Sequence, residues 1–159
     1  MRFSFNKLER LFARHHRSLY VSALSITRNS AAAEDVVHDA LLAVSGVKVQ
    51  PDNLQAYLFT VVRNTALAHV KQAEKFAGGD SDHDFIDANS LDNENRVFVQ
   101  QVLNQIEDLD SDSQQVLILK LFSGLTFREI AEIMGSPENT VASWYRRGMA
   151  QLQEKLNEN

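Results

Sequence analysis

The chain has 159 residues, 44% hydrophobic and 23% charged, with a net charge of −5, the make-up of an ordinary globular protein with one compact domain or two small ones. It has no cysteine, which excludes disulfide frameworks, cysteine zinc sites and thiol catalysis, and which fits a reducing cytoplasm. The N-terminal MRFSFNKLERLF lacks the apolar core of a signal peptide, and no run approaches the roughly 20 apolar residues of a membrane span.

The charge is unevenly spread. Residues 1–75 carry ten basic and six acidic side chains, residues 76–110 one and nine, and residues 111–159 five and six. Two modules joined by an acidic connection would give this pattern.

Phe5 to Thr27 reads as a helix or a bent helical pair. Leu8, Leu11, Phe12, Leu19, Val21 or Ala23, Leu24 and Ile26 form its apolar stripe. Arg10, Arg14, Arg17 and His15-His16 lie largely off that stripe. Ser30 is placed to cap a second helix over about Ala31–Val44, with Glu34 and Asp35 favourable to its dipole. Val36, Val37, Ala40, Leu41 and Val44 are its core side. Ser45 to Asp52 is a connection punctuated by Gly46 and Pro51. Asn53 to Gln72 is a third helix, built on Leu54, Tyr57, Leu58, Val61, Val62, Ala66, Leu67 and Val70.

Phe76 to Leu91 has little apolar surface to bury and reads as a flexible acidic linker. Helices are then expected over about Asn93–Glu107, Ser111–Phe122, Thr126–Met134 and Pro137–Leu156. No stretch alternates like a strand. The fold expected is all-α, with helical domains over 1–75 and 93–159 and a linker over 76–92.

The stretch from Thr126 to Met149 carries the sharpest signal. Thr126 and Glu129 make a capping box. Gly135 stops the first helix. Ser136 and Pro137 are placed to cap and open the second. Two helices about a tight glycine turn suggest a helix-turn-helix, whose second helix reads base edges in the major groove. An ordinary helical hairpin is the bland alternative. The base-facing residues would be Glu138, Asn139, Thr140 and Ser143, then Arg146 and Arg147.

Three stretches in this order resemble the bacterial RNA polymerase sigma factors, specifically the small extracytoplasmic-function type. AAAEDVVHDALLAV, residues 31–44, resembles the family's polymerase-binding helix. LQAYLFTVVRNTALAHVK, residues 54–71, resembles the helix that faces the minus-ten promoter element. The Thr126–Met149 stretch is similar to the C-terminal helix-turn-helix that reads the minus-thirty-five element. The resemblance implies a transcription initiation factor whose partners are core RNA polymerase, promoter DNA and an anti-sigma factor.

Under that resemblance Asp35, His38, Asp39 and Leu42 share one helical flank and would meet polymerase, although a few acids on a helix more often make a solvated face. Arg63, Asn64, His69 and Lys71, with Lys48 and Asn53 before them, would meet the minus-ten strand. Tyr57 could stack on an unpaired base, or simply be core. Trp144 would touch the minus-thirty-five duplex or pack within the domain. Two features depart from the family pattern. KQAEK stands where a dense basic run is common, and Ala142, Trp144 and Met149 stand where bases are common. Fewer phosphate contacts imply weak DNA affinity without polymerase. Two alternatives remain: a sigma-like protein that binds an anti-sigma factor or polymerase without reading DNA, and a dimeric helix-turn-helix repressor. His15-His16 and the acids Asp80, Asp82, His83, Asp84 and Asp87 lack metal-site spacing. There is no catalytic triad pattern, phosphate loop or HExxH, so no enzyme, cofactor or metal is expected.

Overall fold

The computed structural model describes residues 5–76 and 93–157. The acidic linker of residues 76–92 lies, but for Phe76, outside the described residues, as do Asp80, Asp82, His83, Asp84 and Asp87. Among the described residues the fold is all-α. They form two compact units, residues 5–76 and residues 93–157.

The first unit contains α1 (Phe5–Thr27), α2 (Ser30–Ser45) and α3 (Leu54–Phe76). Each packs against the other two. In its first half α1 buries one side, through Leu8. Its second half is different, because Ser18 to Ser25 are buried without a break. The single apolar stripe expected there is too narrow, since both neighbouring helices press on this half. Small serines suit a helix enclosed this closely. The Ser25 hydroxyl, for example, donates to the Ser22 carbonyl at 2.8 Å.

Arg28 ends α1 in the left-handed region at φ 56°. Its N–H donates to the Leu24 carbonyl at 2.8 Å, which satisfies one of the helix's last acceptors. The turn leaves Asn29, rather than Ser30, in the extended conformation of a cap. Asn29 Oδ1 accepts from the Ala32 N–H at 2.9 Å. The expected Ser30 cap is therefore corrected: Ser30 is a buried first helical residue. Asn53 does the same work for α3, accepting from the Ala56 N–H at 3.0 Å. The core they enclose contains Leu19, Leu24, Val36, Val44, Leu58, Phe59 and Val62. Each such side chain stabilises by about 1.5–3 kcal/mol when fully buried.

The second unit contains α4 (Asn93–Ile106), α5 (Ser111–Leu117), α6 (Phe127–Met134) and α7 (Glu138–Asn157). α4, α5 and α6 all pack on α7. Buried Gln114 holds the end of α4, its Nε2 donating to the carbonyls of Ile106 and Leu109 at 3.0 Å each. The α-helix expected to run to Phe122 changes at Ile118. Residues Ile118–Phe122 take the wider π form. ILKLF is apolar enough to read as plain helix, and a π turn leaves no separate periodic mark. Leu119 is buried within it, whereas Leu121 and Phe122 are exposed.

Candidate nucleic-acid and polymerase interfaces

The joint between α6 and α7 is built from backbone bonds that the sequence specifies. Thr126 Oγ1 accepts from the Glu129 N–H at 3.1 Å, and Glu129 Oε1 accepts from the Thr126 N–H at 2.9 Å. Gly135 turns the chain at φ 62°. The Ser136 N–H then donates to the Ala131 carbonyl at 3.0 Å, closing the helix as a left-handed glycine cap does. The start of α7 differs from the expected Ser136 cap. The Ser136 hydroxyl turns back to donate to the Met134 carbonyl at 3.4 Å. The Pro137 carbonyl accepts the Val141 N–H at 3.1 Å, and the helix begins at Glu138. A proline at this entry still fits, since its missing N–H costs nothing there.

The inner side of α7 is Val141 and Gly148, seven residues apart and buried. Roughly opposite, by the 100° helical step, stand Asn139, Ser143, Arg146 and Arg147. Asn139, Arg146 and Arg147 are exposed and Ser143 is half-buried. Glu138 is exposed, Thr140 half-buried. Trp144 is half-buried at the border between the two sides. Asn139, Ser143, Arg146 and Arg147 thus gather along one strip with Thr140 at its edge, whereas Glu138 points more than about 100° away from the middle of that strip and is not brought together with them.

Arg147 is not alone on that strip. Its Nη1 lies 3.9 Å from Asp110 Oδ2 at the start of α5. Periodicity could not reveal this pair, which joins positions 37 residues apart. Nor could it reveal the contact beneath the strip, where Tyr145 meets Phe127 of α6 edge-on, with ring centres 5.2 Å apart. Lys120 Nζ sits 4.6 Å from the centre of the Phe127 ring, an arrangement that favours a cation over an aromatic face.

In the first unit, Asp35, His38, Asp39 and Leu42 are all exposed on α2. Spacings of three and four residues place them on one flank. Leu42 is 58% exposed, a large apolar side chain among polar ones. On α3, Asn64 and Lys71 are exposed, seven residues apart and on one strip, with Arg63 half-buried beside it. Tyr57 and Thr60 are half-buried on the same side, and Leu67 is exposed there. His69 is also exposed, but five residues from Asn64 it points about 140° round the helix. The structure therefore does not bring His69 together with the others. Lys48 and Val49 are exposed in the connection before α3. Asn53 is exposed too, with its side-chain oxygen engaged as a cap. Leu67 is exposed although its helical spacing reads as core, and Val49 is an exposed apolar residue in the connection.

His15 and His16 face different partners. The His15 ring lies edge-on to Phe59 of α3 at 6.1 Å, and the His16 ring 6.1 Å from Phe12. Burial pushes the His15 imidazole below the usual histidine range, with Arg14 adding to it.

Two helical units, the second containing a helix-turn-helix, have the layout of a DNA-directed protein. The sigma-70 region 2 pattern matches residues 11–76 and the sigma-70 region 4 pattern matches residues 99–152. The chain belongs to the sigma-70 family of RNA polymerase sigma factors, in its extracytoplasmic-function group. It is similar to RNA polymerase sigma factor SigV of Bacillus subtilis, 24% identical over 89% of this chain and 86% of the relative. It is likewise similar to ECF RNA polymerase sigma factor SigL of Mycobacterium tuberculosis, 27% identical over 93% of this chain and 88% of the relative. Among solved structures it resembles the sigma factor RpoE of Bartonella quintana, solved with the anti-sigma factor NepR. The TM-score is 0.71 and the identity 26%, over 95% of this chain and 97% of that one. It shares the fold of CnrH, solved with the cytosolic domain of CnrY, at a TM-score of 0.67 and 22% identity over 98% and 91% of the two chains. No described helix is long and apolar enough to cross a membrane.

Proposed function

We propose that this chain is a transcription initiation factor that binds core RNA polymerase, directs it to a restricted set of promoters and is held in check by an anti-sigma protein. The observation that carries the reading is the order of the two family regions, 11–76 before 99–152, over most of the chain. The first domain, residues 1–75, binds polymerase through Asp35, His38, Asp39 and Leu42. It takes the minus-ten strand with Arg63, Asn64 and Lys71, beside the Lys48–Asn53 connection. Residues 76–92 link it to the second domain, residues 93–159, which reads the minus-thirty-five duplex with Asn139, Ser143, Arg146 and Arg147. Its work is regulatory rather than catalytic, and its place of action is the cytoplasm.

Charge and exposure support this division. The α2 flank pairs carboxylates, which steer encounter with a basic partner, with an apolar anchor. The second unit also has an apolar groove, lined by Phe98, Val102, Leu121, Phe122, Leu152 and Leu156. Exposed apolar patches of this kind mark protein docking sites. The anti-sigma partner is proposed from likeness to the RpoE structure, which was solved with one. The test is transcription in vitro with core polymerase and a genomic promoter library. Defined transcripts that depend on this chain are expected. Core binding without any transcript would favour the sigma-like protein that does not read DNA.

A further inference from the structure

Lys7, Arg10, Arg14 and Arg17 recur on α1 at steps of three, four and three residues. At 100° per residue all four fall within about 80° of one another. All four are exposed. His15, which meets Phe59 of α3, lies about 120° from the middle of this stripe. Glu9 is the only carboxylate on α1, and it too lies about 120° away. Asn6 and Ala13, both exposed, flank the stripe on one side and half-buried Leu11 on the other. The stripe is thus a row of one sign of charge, with no apolar side chain between Lys7 and Arg17 inside its own arc.

We propose that this stripe binds the phosphate backbone of promoter DNA, as a contact separate from the α3 and α7 strips. The source of the DNA rests on the function proposed above, but the phosphate chemistry does not. Ten residues of helix span about 15 Å. One DNA strand places a phosphate about every 3.4 Å along the duplex axis. Four cations over that length match about four phosphates. Three of the four are arginines, whose planar forks suit phosphate oxygens better than a point charge does. A protein partner fits less well. Protein interfaces centre on aromatic or aliphatic anchors, and this stripe has none, unlike the α2 flank with Leu42. Interfaces with DNA are polar and strongly positive.

The test compares the full chain with Arg10→Gln/Arg14→Gln and Arg10→Lys/Arg14→Lys. Binding of a labelled oligothymidylate and of a mixed-sequence duplex is measured by anisotropy over a salt series. Loss of two phosphate contacts should reduce the slope of log affinity against log salt by about 1.4 for the single strand or about 1.8 for the duplex. The lysine variant should keep the wild-type slope. Unchanged slopes in both arms, or no binding by the wild type at the lowest salt, would overturn the proposal. Capture by immobilised core polymerase runs in parallel. A glutamine variant that loses capture but keeps its slopes would make the stripe a protein-docking face, which also overturns it. Failure of the wild type to bind core polymerase would count against the proposed function and leave the slopes to judge the stripe.

Discussion

Gly148 of α7 lies so close to Leu117 of α5 that a β-carbon at position 148 would stand 3.1 Å from the Leu117 Cδ1 and 3.3 Å from its Cγ. The same added atom would meet the Ser113 Cβ at 3.4 Å. Position 148 is glycine because of this approach, since its φ is not positive. Gly148→Ala should therefore lower the stability of the second unit by about 1–3 kcal/mol, the usual cost of overpacking. Adding Leu117→Ala opens space for the methyl group, so the double variant should lose less than the two single losses combined. Denaturant titration followed by Trp144 fluorescence measures this.

Thr126 holds the start of α6 through a reciprocal pair of bonds with Glu129. Thr126→Ala should cost about 0.5–2 kcal/mol, while Thr126→Ser should retain most of the cap. The measurement is thermal unfolding of both variants.

His15 gives the first unit a pH dependence. Its folded-state pKa lies below its unfolded value. Folding therefore disfavours the charged imidazole. The contribution is fully present above the unfolded value near 6.5, is lost as pH falls through the folded pKa, and is then constant. Between pH 7.5 and 5.5, wild type should lose more stability than His15→Phe. Urea melts followed by far-ultraviolet circular dichroism, at several pH values, would show parallel curves if His15 had no part in it.

Leu42 is the apolar centre of the α2 flank and is mostly exposed. Leu42→Ala should weaken capture by core polymerase roughly tenfold, the order expected of an interface anchor. The melting temperature should stay within error of wild type. Asp39→Asn should act mainly on the association rate and lose its effect at high salt. Surface plasmon resonance on immobilised core enzyme separates the two.

Arg146 and Arg147 share a strip, and Asp110 lies beside Arg147. Both members of that pair are about half exposed, so the bond adds little stability. Arg147→Ala should reduce the salt slope of holoenzyme binding to a minus-thirty-five duplex by about 0.9 if one phosphate contact is lost. Asp110→Asn should instead increase affinity by removing a competitor for the guanidinium. Equal effects of Arg147→Ala on core capture and on DNA binding would contradict this division.

What could be read in the sequence was whatever closes locally. Thr126, Glu129 and Gly135 announce α6 because their bonds reach no further than a few residues. The core stripes of α2 and α3 follow from one-sided burial, which leaves a helical period. The missed features depend on the third dimension. Asn29 and Ser30 are both good caps, and the left-handed turn at Arg28 decides between them. The second half of α1 is enclosed on all sides, so no period marks it. His69 stands near Asn64 in the sequence, whereas helical geometry separates them. The Arg147–Asp110 pair and the reason for Gly148 join residues more than 30 positions apart.

The two ends of α6 also bear on the order in which the second unit assembles. Its N-terminal bonds join Thr126 to Glu129 and its C-terminal bond joins Ser136 to Ala131. Closing such short loops costs little chain entropy and takes well under a millisecond. The Gly148–Leu117 contact must instead wait for the two ends of a 31-residue interval to meet. The turn that aims α7 can thus form early and transiently, before any core exists to hold it. The helix pair is held in place only once α5 packs on α7, so the direction in which α7 points depends on a contact made later than the turn itself.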